Sequence, residues 1–168
     1  MALFRTVPGV DCITAWTVIA EIGVDMSRFA TSGNLASWCG LCPGNSASAG
    51  KRHSGKTSKD NRYIRRVLAQ AAWAAARINR KRNFFTTLSF RISSRAGMKK
   101  AAVAVAHRML SIIYSMIRDG SPYRENGADY FDRIHPERTK NKLMAQLQRL
   151  GFLLHLEPKQ ITPKQLSC

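Results

Sequence analysis

Apolar residues recur at steps of three and four along most of the chain, a period that predicts helices rather than strands. The clearest run extends from Asn61 to about Asn79, where Ile64, Val67, Leu68, Ala71, Ala72, Ala75 and Ile78 line one face. Arg62, Arg65, Arg66 and Arg77 lie off that face. A second strong run spans about Met98 to Arg118, with Val103, Ala106, Leu110, Ile113 and Ile117 in step, and Gly120-Ser121-Pro122 stops it. Ile13 to Ile22 reads as a helix whose apolar positions are Ile13, Trp16, Ile19 and Ala20, ended by Gly23. Thr31-Ser32 supplies a cap for a short helix through Ala36 and Trp38, stopped by Gly40 and Pro43. A weaker helix covers roughly Asn83 to Ser94. Pro136 opens a last helix carrying Leu143, Leu147 and Leu150, with Gly151 where a C-cap belongs. Phe152 to Leu156 is a candidate short strand, and the tail from Pro158 is expected to fray. The expected class is all-α.

One stretch breaks the pattern. Gly44 to Asp60 holds Gly44, Asn45, Ser46, Ser48, Gly50, Ser54, Gly55 and Ser58, interleaved with Lys51, Arg52, Lys56 and Lys59. Loops of that length inside a compact domain are functional or disordered, and composition alone leaves both readings open.

Charge narrows the partner. The 168 residues carry 27 Lys and Arg against 10 Asp and Glu, a formal net charge of +17. Between Lys51 and Arg108 there are 16 basic residues and a single acid, Asp60, whereas five acids fall between Asp119 and Glu137. So lopsided a stretch repels itself unless something anionic neutralises it, and nucleic acid does so with release of counterions. An anionic membrane surface, the competing partner, would require a helix with one broad apolar and one basic face. The longest apolar-leaning run, Ala101 to Ile117, is broken by His107, Arg108 and Ser111, so no membrane span is expected. The amino terminus has no long apolar core and no small-residue cleavage site, and does not read as a secretory signal.

Cys12, Cys39, Cys42 and Cys168 suit reduced thiols in a cytoplasm. Cys39 and Cys42 form a CxxC, but nothing nearby completes a tetrahedral zinc site, so both are read as packing residues. His107 is expected to border the core, and Trp38 and Trp73 to sit in it. Tyr63, between Arg62 and Arg65, is the best aromatic candidate for stacking on a base. Tyr114 and Tyr123 lack flanking residues that would make either a nucleophile.

Two segments carry candidate chemistry. Val7-Pro8-Gly9-Val10-Asp11 resembles a helix-hairpin-helix turn, in which backbone N–H groups near Gly9 meet a DNA phosphate. Asp11 stands where that motif has a second glycine, so a plain packing turn is the alternative. In Asn45-Ser-Ala-Ser-Ala-Gly-Lys-Arg52, a serine hydroxyl between small residues precedes two cations. Small neighbours let a phosphodiester approach, and the cations can stabilise charge in the transition state. A flexible linker has the same composition.

Longer motifs weight the choice. Cys39-Gly-Leu-Cys-Pro-Gly-Asn45, Ser48-Ala-Gly-Lys-Arg52, Ser54-Gly-Lys-Thr57, Lys59, Asn61 and Arg65-Arg66 occur in that order. Leu68-Ala-Gln-Ala-Ala-Trp-Ala-Ala75, Lys99-Lys-Ala-Ala-Val-Ala-Val-Ala-His107, Ile112 to Tyr123 and Gly127 to Asp132 follow. Together they resemble the carboxy-terminal domain of insertion-sequence one-ten family transposases, over Val7 to about Pro158. The resemblance implies a site-specific DNA recombinase with a serine nucleophile, which falls on Ser48. It implies backbone contacts from Lys51, Arg52, Lys56, Lys59, Arg62, Arg65 and Arg66, and from the Gly9 turn. Its partners would be DNA (transposon ends and target) and a structured guide RNA, handled by a homo-oligomer in a bacterial cytoplasm, near the nucleoid. The family also carries an amino-terminal RNase-H-like domain whose Asp and Glu cluster binds a divalent metal. No such cluster is expected here: no metal or cofactor is assigned to this chain, and Mg2+ would enter only with that domain. The chain then reads as a truncated or separately encoded portion that either cuts or binds without cutting. On this reading residues 1–123 form the DNA-handling domain, with a helix-hairpin-helix at 5–23, a basic active-site loop at 44–60 and helices to 119. Residues 124–168 form a helical extension and tail.

Overall fold

Each of the first four helices begins on a side chain that accepts a hydrogen bond from its own first turn, which satisfies backbone N–H groups that have no partner within the helix. The computed structural model describes residues 2–42, 46–48, 51–54, 61–78 and 83–153. Asp11 caps α1 (Cys12–Ile22), its Oδ1 accepting from the Thr14 N–H at 2.7 Å. Thr31 caps α2 (Ser32–Trp38) through the Asn34 N–H at 3.2 Å. Asn61 caps α3 (Arg62–Ala76) through the N–H groups of Tyr63 and Ile64, at 3.1 and 3.2 Å. Asn83 caps α4 (Phe84–Ala96) through Thr86 N–H at 2.8 Å. Gly97, at φ +83°, is the single residue between α4 and α5 (Met98–Asp119). A side chain there would resist the positive φ that lets one helix end and the next begin without a loop.

The chain divides into two compact units, Met1–Ala128 and Asp129–Cys168. In the first, α5 is the central helix. It buries Ala101, Ala102, Val105, Ala106, Met109, Leu110, Ile113, Tyr114 and Met116, and it packs against α2, α3 and α4. Tyr114 donates its hydroxyl to the Phe29 carbonyl at 2.9 Å, tying α5 to the segment before α2. Phe84 and Phe85 meet edge to face at 5.5 Å and are fully buried, each contributing about 1.5–3 kcal/mol by leaving water. With 22 residues α5 is long and apolar enough to cross a membrane, yet half of its most apolar window is buried, as in the core helix of a folded domain.

The second unit holds α6 (Tyr130–Ile134) and α7 (Pro136–Arg149), with no buried residue in either helix. Exposed pairs lie within each helix, Arg133 with Asp129 at 2.9 Å and Lys140 with Glu137 at 2.6 Å, and the Thr139 hydroxyl of α7 donates to Asp132 of α6 at 3.0 Å.

The all-α class holds, and the predicted helices occur with ends shifted by a few residues. Several details differ. The stretch 44–60 contains two short antiparallel strands, β1 (Ser46–Ser48) and β2 (Lys51–Ser54), paired Ser46 to Ser54, Ala47 to Arg52 and Ser48 to Lys51. Strands this short show no alternation of apolar and polar residues, so backbone pairing, not pattern, defines them. The buried face of α1 is Thr14, Ala15, Val18 and Ile22, while Ile13 and Trp16 are 72% and 61% exposed. Trp38 is 41% exposed and tilts against Phe29 at 5.7 Å, outside the core. Phe152 and Leu153 form no strand, and the rest of that candidate, like the tail, lies outside the described residues.

The segment before α1 is a 3-10 helix, Ala2–Thr6, followed by the Val7–Val10 turn. Gly9 in that turn has φ +83°, and a β-carbon on it would stand 2.4 Å from the Ala71 carbonyl oxygen and 2.8 Å from the Ala75 nitrogen. The turn is thus seated on the α3 backbone. Gly9→Ala must relieve both the clash and the left-handed strain, and should destabilise the protein by about 2–4 kcal/mol in urea unfolding. A loss below about 0.5 kcal/mol would mean that the turn can lift off α3 at little cost.

Candidate nucleic-acid interface

Helix α3 leaves one face for charge once Ile64, Leu68, Ala71, Ala72 and Ala75 are buried. Arg62, Arg65 and Arg66 occupy its first turn and the start of its second, and no acid lies in the first turn. Cations at a helix N-terminus oppose the helix dipole, each by about 0.3–1 kcal/mol. Helix stability therefore does not explain them. The first turn of α5 repeats the arrangement with Lys99 and Lys100 and again no acid.

The two basic helix starts meet. Arg62, Arg65, Arg66 and Trp73 from α3 line a groove of about 380 Å³ with Lys99 from α5, over a floor of Ala69, Ala102 and Val103. Arg62, Arg66 and Lys99 are exposed and pair with no carboxylate among the described residues. The Arg62 guanidinium stands 6.0 Å from the Tyr63 ring centre, and Arg77 stands 5.4 Å from that of Trp73. An indole at the wall of a groove with four cations suits a nucleic-acid backbone with a base beside it. Trp73 is half-buried at the groove rather than fully in the core, and Lys99, far from Arg62 in sequence, joins the site only through the packing of α3 on α5.

The described carboxylates of the first unit are each engaged elsewhere. The Thr14 side chain and backbone N–H hold the Asp11 carboxyl below the usual carboxylate range, and the Ser27 backbone N–H and side chain do the same for Asp25. Asp119 pairs with Arg118 at 2.7 Å. Glu125 accepts the Phe84 N–H at 2.8 Å, the Gly127 N–H at 3.1 Å and the Tyr123 hydroxyl at 3.0 Å. Glu21 accepts a short hydrogen bond from the Asn61 side-chain amide. Since Asn61 also caps α3, this contact ties the end of α1 to the residue at which the basic stretch re-enters the helical body.

Burial, aided by the Glu21 charge and by Cys42, pushes the Cys39 thiol up to about 12. It stays protonated at neutral pH, so the CxxC offers no ready thiolate pair. No group of three or more His, Cys, Asp or Glu among the described residues is placed to hold a metal ion. Partial burial, then the neighbouring Arg108 charge, depresses the His107 pKa, as expected beside a core. Burial, then the Glu125 charge, raises that of Tyr123, which therefore stays a neutral phenol.

The remaining residues singled out in the sequence fall in three places. Ser48 ends β1 and Lys51 begins β2, and the register sets these two directly opposite each other, with Arg52 opposite Ala47. Lys56 and Lys59 lie outside the described residues. Gly9 packs on α3, and the α1 terminus behind its turn is already occupied by the Asp11 carboxylate.

The chain resembles known proteins. A family described as Transposase IS116/IS110/IS902 matches residues 1–86. The transposase for insertion sequence element IS1111A of Coxiella burnetii is 30% identical over 122 residues, 71% of this chain and 33% of that protein. The insertion element IS900 uncharacterized 42 kDa protein of Mycobacterium paratuberculosis is 29% identical over 123 residues, 72% of this chain and 30% of its own length. The insertion element IS110 uncharacterized 43.6 kDa protein of Streptomyces coelicolor is 27% identical over 123 residues, 72% of this chain and 29% of its own. The chain spans about a third of the length of these relatives. No solved structure matches it significantly.

The Asn61 junction is open to a direct test. Asn61→Ala removes both the α3 cap and the link to Glu21 and should cost about 1–2 kcal/mol in thermal or urea unfolding. Asn61→Ser keeps a capping hydroxyl and should recover most of that loss, the remainder reporting the Glu21 contact. Equal losses would show that the cap contributes nothing.

Proposed function

The chain belongs to the IS116/IS110/IS902 transposase family, and from that premise we propose that its first unit grips DNA in the α3–α5 groove and breaks and rejoins a strand with Ser48. The observation that carries the binding half is the groove itself: Arg62, Arg65, Arg66 and Lys99 converge beside Trp73. Arginine and lysine on such a surface displace the cations condensed on nucleic-acid phosphates, so affinity is gained without base contacts. The same chemistry accommodates a structured guide RNA, and a bacterial cytoplasm is where both polymers are found.

The catalytic half rests on the serine motif and on the strand register. The Ser48 hydroxyl attacks the phosphorus of a phosphodiester, an Oγ–P ester forms, and the bond to one deoxyribose oxygen breaks. The proton lost from Oγ ends on that departing oxygen. One phosphoester replaces another, so the step needs no external energy and runs backward to reseal the strand. Lys51, opposite Ser48 in the ribbon, and the following Arg52 are the cations assigned to the charge that develops on the phosphoryl oxygens. Divalent-metal chemistry of the RNase-H-like kind finds no donor set among the described residues, so no step is routed through a metal.

A second reading, a nucleic-acid-binding module that does not cut, is favoured by one observation. Every described carboxylate of the first unit already serves the fold, so none is placed as a general base. More than one copy would act together on either reading, since joining two ends calls for paired sites.

One measurement tests the binding that both readings share, and a second separates them. Arg62→Gln, Arg66→Gln and Lys99→Gln should each weaken duplex binding and lower the slope of log affinity against log salt by about 1. Slopes unchanged from the wild type would remove the groove from the interface. For the chemistry, a nicked suicide substrate bearing an insertion-sequence end is incubated with the protein, guide RNA and magnesium, then resolved on a denaturing gel. A covalent band lost in Ser48→Ala assigns the nucleophile. A band that survives that change excludes Ser48, and no band despite intact binding leaves the binding module.

A further inference from the structure

A second groove, of mixed polar and apolar lining, lies on the opposite face of α5. It has a volume of about 440 Å³, and its polar lining includes Arg108, Ser111 and Ser115 of α5 together with Ser32, Ser121 and Arg124. At 100° per residue, the mean direction of Arg108, Ser111 and Ser115 points about 160° away from that of Lys99, Ala102 and Val103, which face the α3–α5 groove. The centres of the two sets are displaced along the helix by roughly 15 Å.

The second groove is a donor surface. The Arg108 guanidinium is steadied over the Phe84 ring at 5.7 Å, and Arg124 is exposed. Neither pairs with a carboxylate among the described residues. The nearest acid in sequence, Glu125, already accepts three hydrogen bonds, from Phe84, Tyr123 and Gly127. Ser111 and Ser115 donate their hydroxyls to the carbonyls of His107 and Ser111, at 3.0 and 3.3 Å. Arg108 and Arg124 are thus the cationic donors of the groove. Two guanidinium groups beside small hydroxyl side chains fit the oxygens of a phosphodiester, while Ile112, Met116 and Tyr123 offer apolar surface to its sugars. The groove is open rather than enclosed, which suits a continuous polymer.

We propose that this groove is a second phosphodiester-backbone site, so that one copy of the first unit holds two polynucleotides on opposite faces of α5. The inference rests on the reading that the α3–α5 groove binds nucleic acid, and adds to it a separate site with its own residues. Nothing here needs to move: the two sites are fixed by a single rigid helix.

The test is bridging. A biotinylated DNA duplex on beads is incubated with the full chain, and capture of a second, fluorescent duplex is measured, once as DNA and once as RNA. The wild type should capture it. Arg124→Gln and Arg108→Gln should each retain binding of one duplex through the α3–α5 groove and lose at least tenfold in capture of the second. Arg62→Gln/Arg66→Gln should show the reciprocal behaviour. Arg108→Lys should restore part of the capture, and Arg124, which makes no packing contact of this kind, decides the matter if Arg108→Gln does not fold. Bridging unchanged in Arg124→Gln would overturn the second site and assign bridging to paired copies, each with one groove. A wild type that binds one duplex and never bridges would overturn it too, leaving the α3–α5 reading in place. A wild type that binds no duplex would overturn both. The DNA and RNA arms tell which polymer the second site takes.

Discussion

The backbone of α3 is approached so closely by the Val7–Val10 turn that a β-carbon on Gly9 would stand 2.4 Å from the Ala71 carbonyl oxygen. Such an approach requires small side chains on both sides, and α3 supplies Ala71, Ala72 and Ala75 there. Alanines bury little area, so each gains little from leaving water, but they let backbones and neighbouring side chains come into dense contact. With that face occupied, the long polar side chains of α3 have one direction left. Arg62, Arg66 and Trp73 follow one another at helical spacing along it, and the start of α5 lies beside them. The basic groove is thus a consequence of how the alanine face is packed.

Charge follows the same logic. A domain this basic would normally soften its surface with ion pairs, yet Asp11, Asp25 and Glu125 are drawn into backbone contacts, Glu21 into the Asn61 amide, and Asp119 alone among the described acids of this unit pairs with an arginine. Each backbone contact satisfies an N–H that would otherwise lack a partner, which a long-range ion pair cannot do. The cations at the starts of α3 and α5 are left to repel one another and the helix dipoles. A polyanion relieves both costs at once, which makes binding favourable for the fold as well as for the ligand.

Much of this was legible in the chain itself. Asn61, Asn83 and Thr31 announce three helix starts by the chemistry of their side chains, and the periodicity of α3 and α5 finds most of their buried faces, although Ile78 is exposed and Val103 lines the basic groove. The face of α1 was not legible, because hydrophobicity ranks Ile13 and Trp16 above Thr14 and Ala15. Ile13 and Ile22 are the same residue type on opposite faces, so the inward face is set by how α1 packs on α3. Arg62, Arg65 and Arg66 could be marked as binding residues from local charge, whereas Lys99 could not be joined to them without the α3–α5 packing. Gly9 shows the opposite case. The turn looks like a phosphate grip, but its glycine is explained by the helix beneath it, and Asp11 already fills the positive end of α1. Ser48 was singled out by resemblance; the structure adds only the register that sets it opposite Lys51.

The two grooves on α5 also bear on how two polyanions could be held by one small unit. Two phosphate backbones repel, and a protein that brings them together must either screen them or separate them. A displacement of roughly 15 Å along the helix, with the helix itself between them, exceeds the screening length of about 8 Å at physiological salt. Buried Val105, Ala106, Met109, Leu110 and Ile113 of α5 hold the helix in the core between the two faces. Repulsion between bound strands would be small at physiological ionic strength and would grow as salt is lowered. Attraction of each strand to its own cations grows in the same direction, so at low salt the two effects oppose each other. Tight binding of one strand and tolerance of a second are therefore best reconciled at intermediate salt.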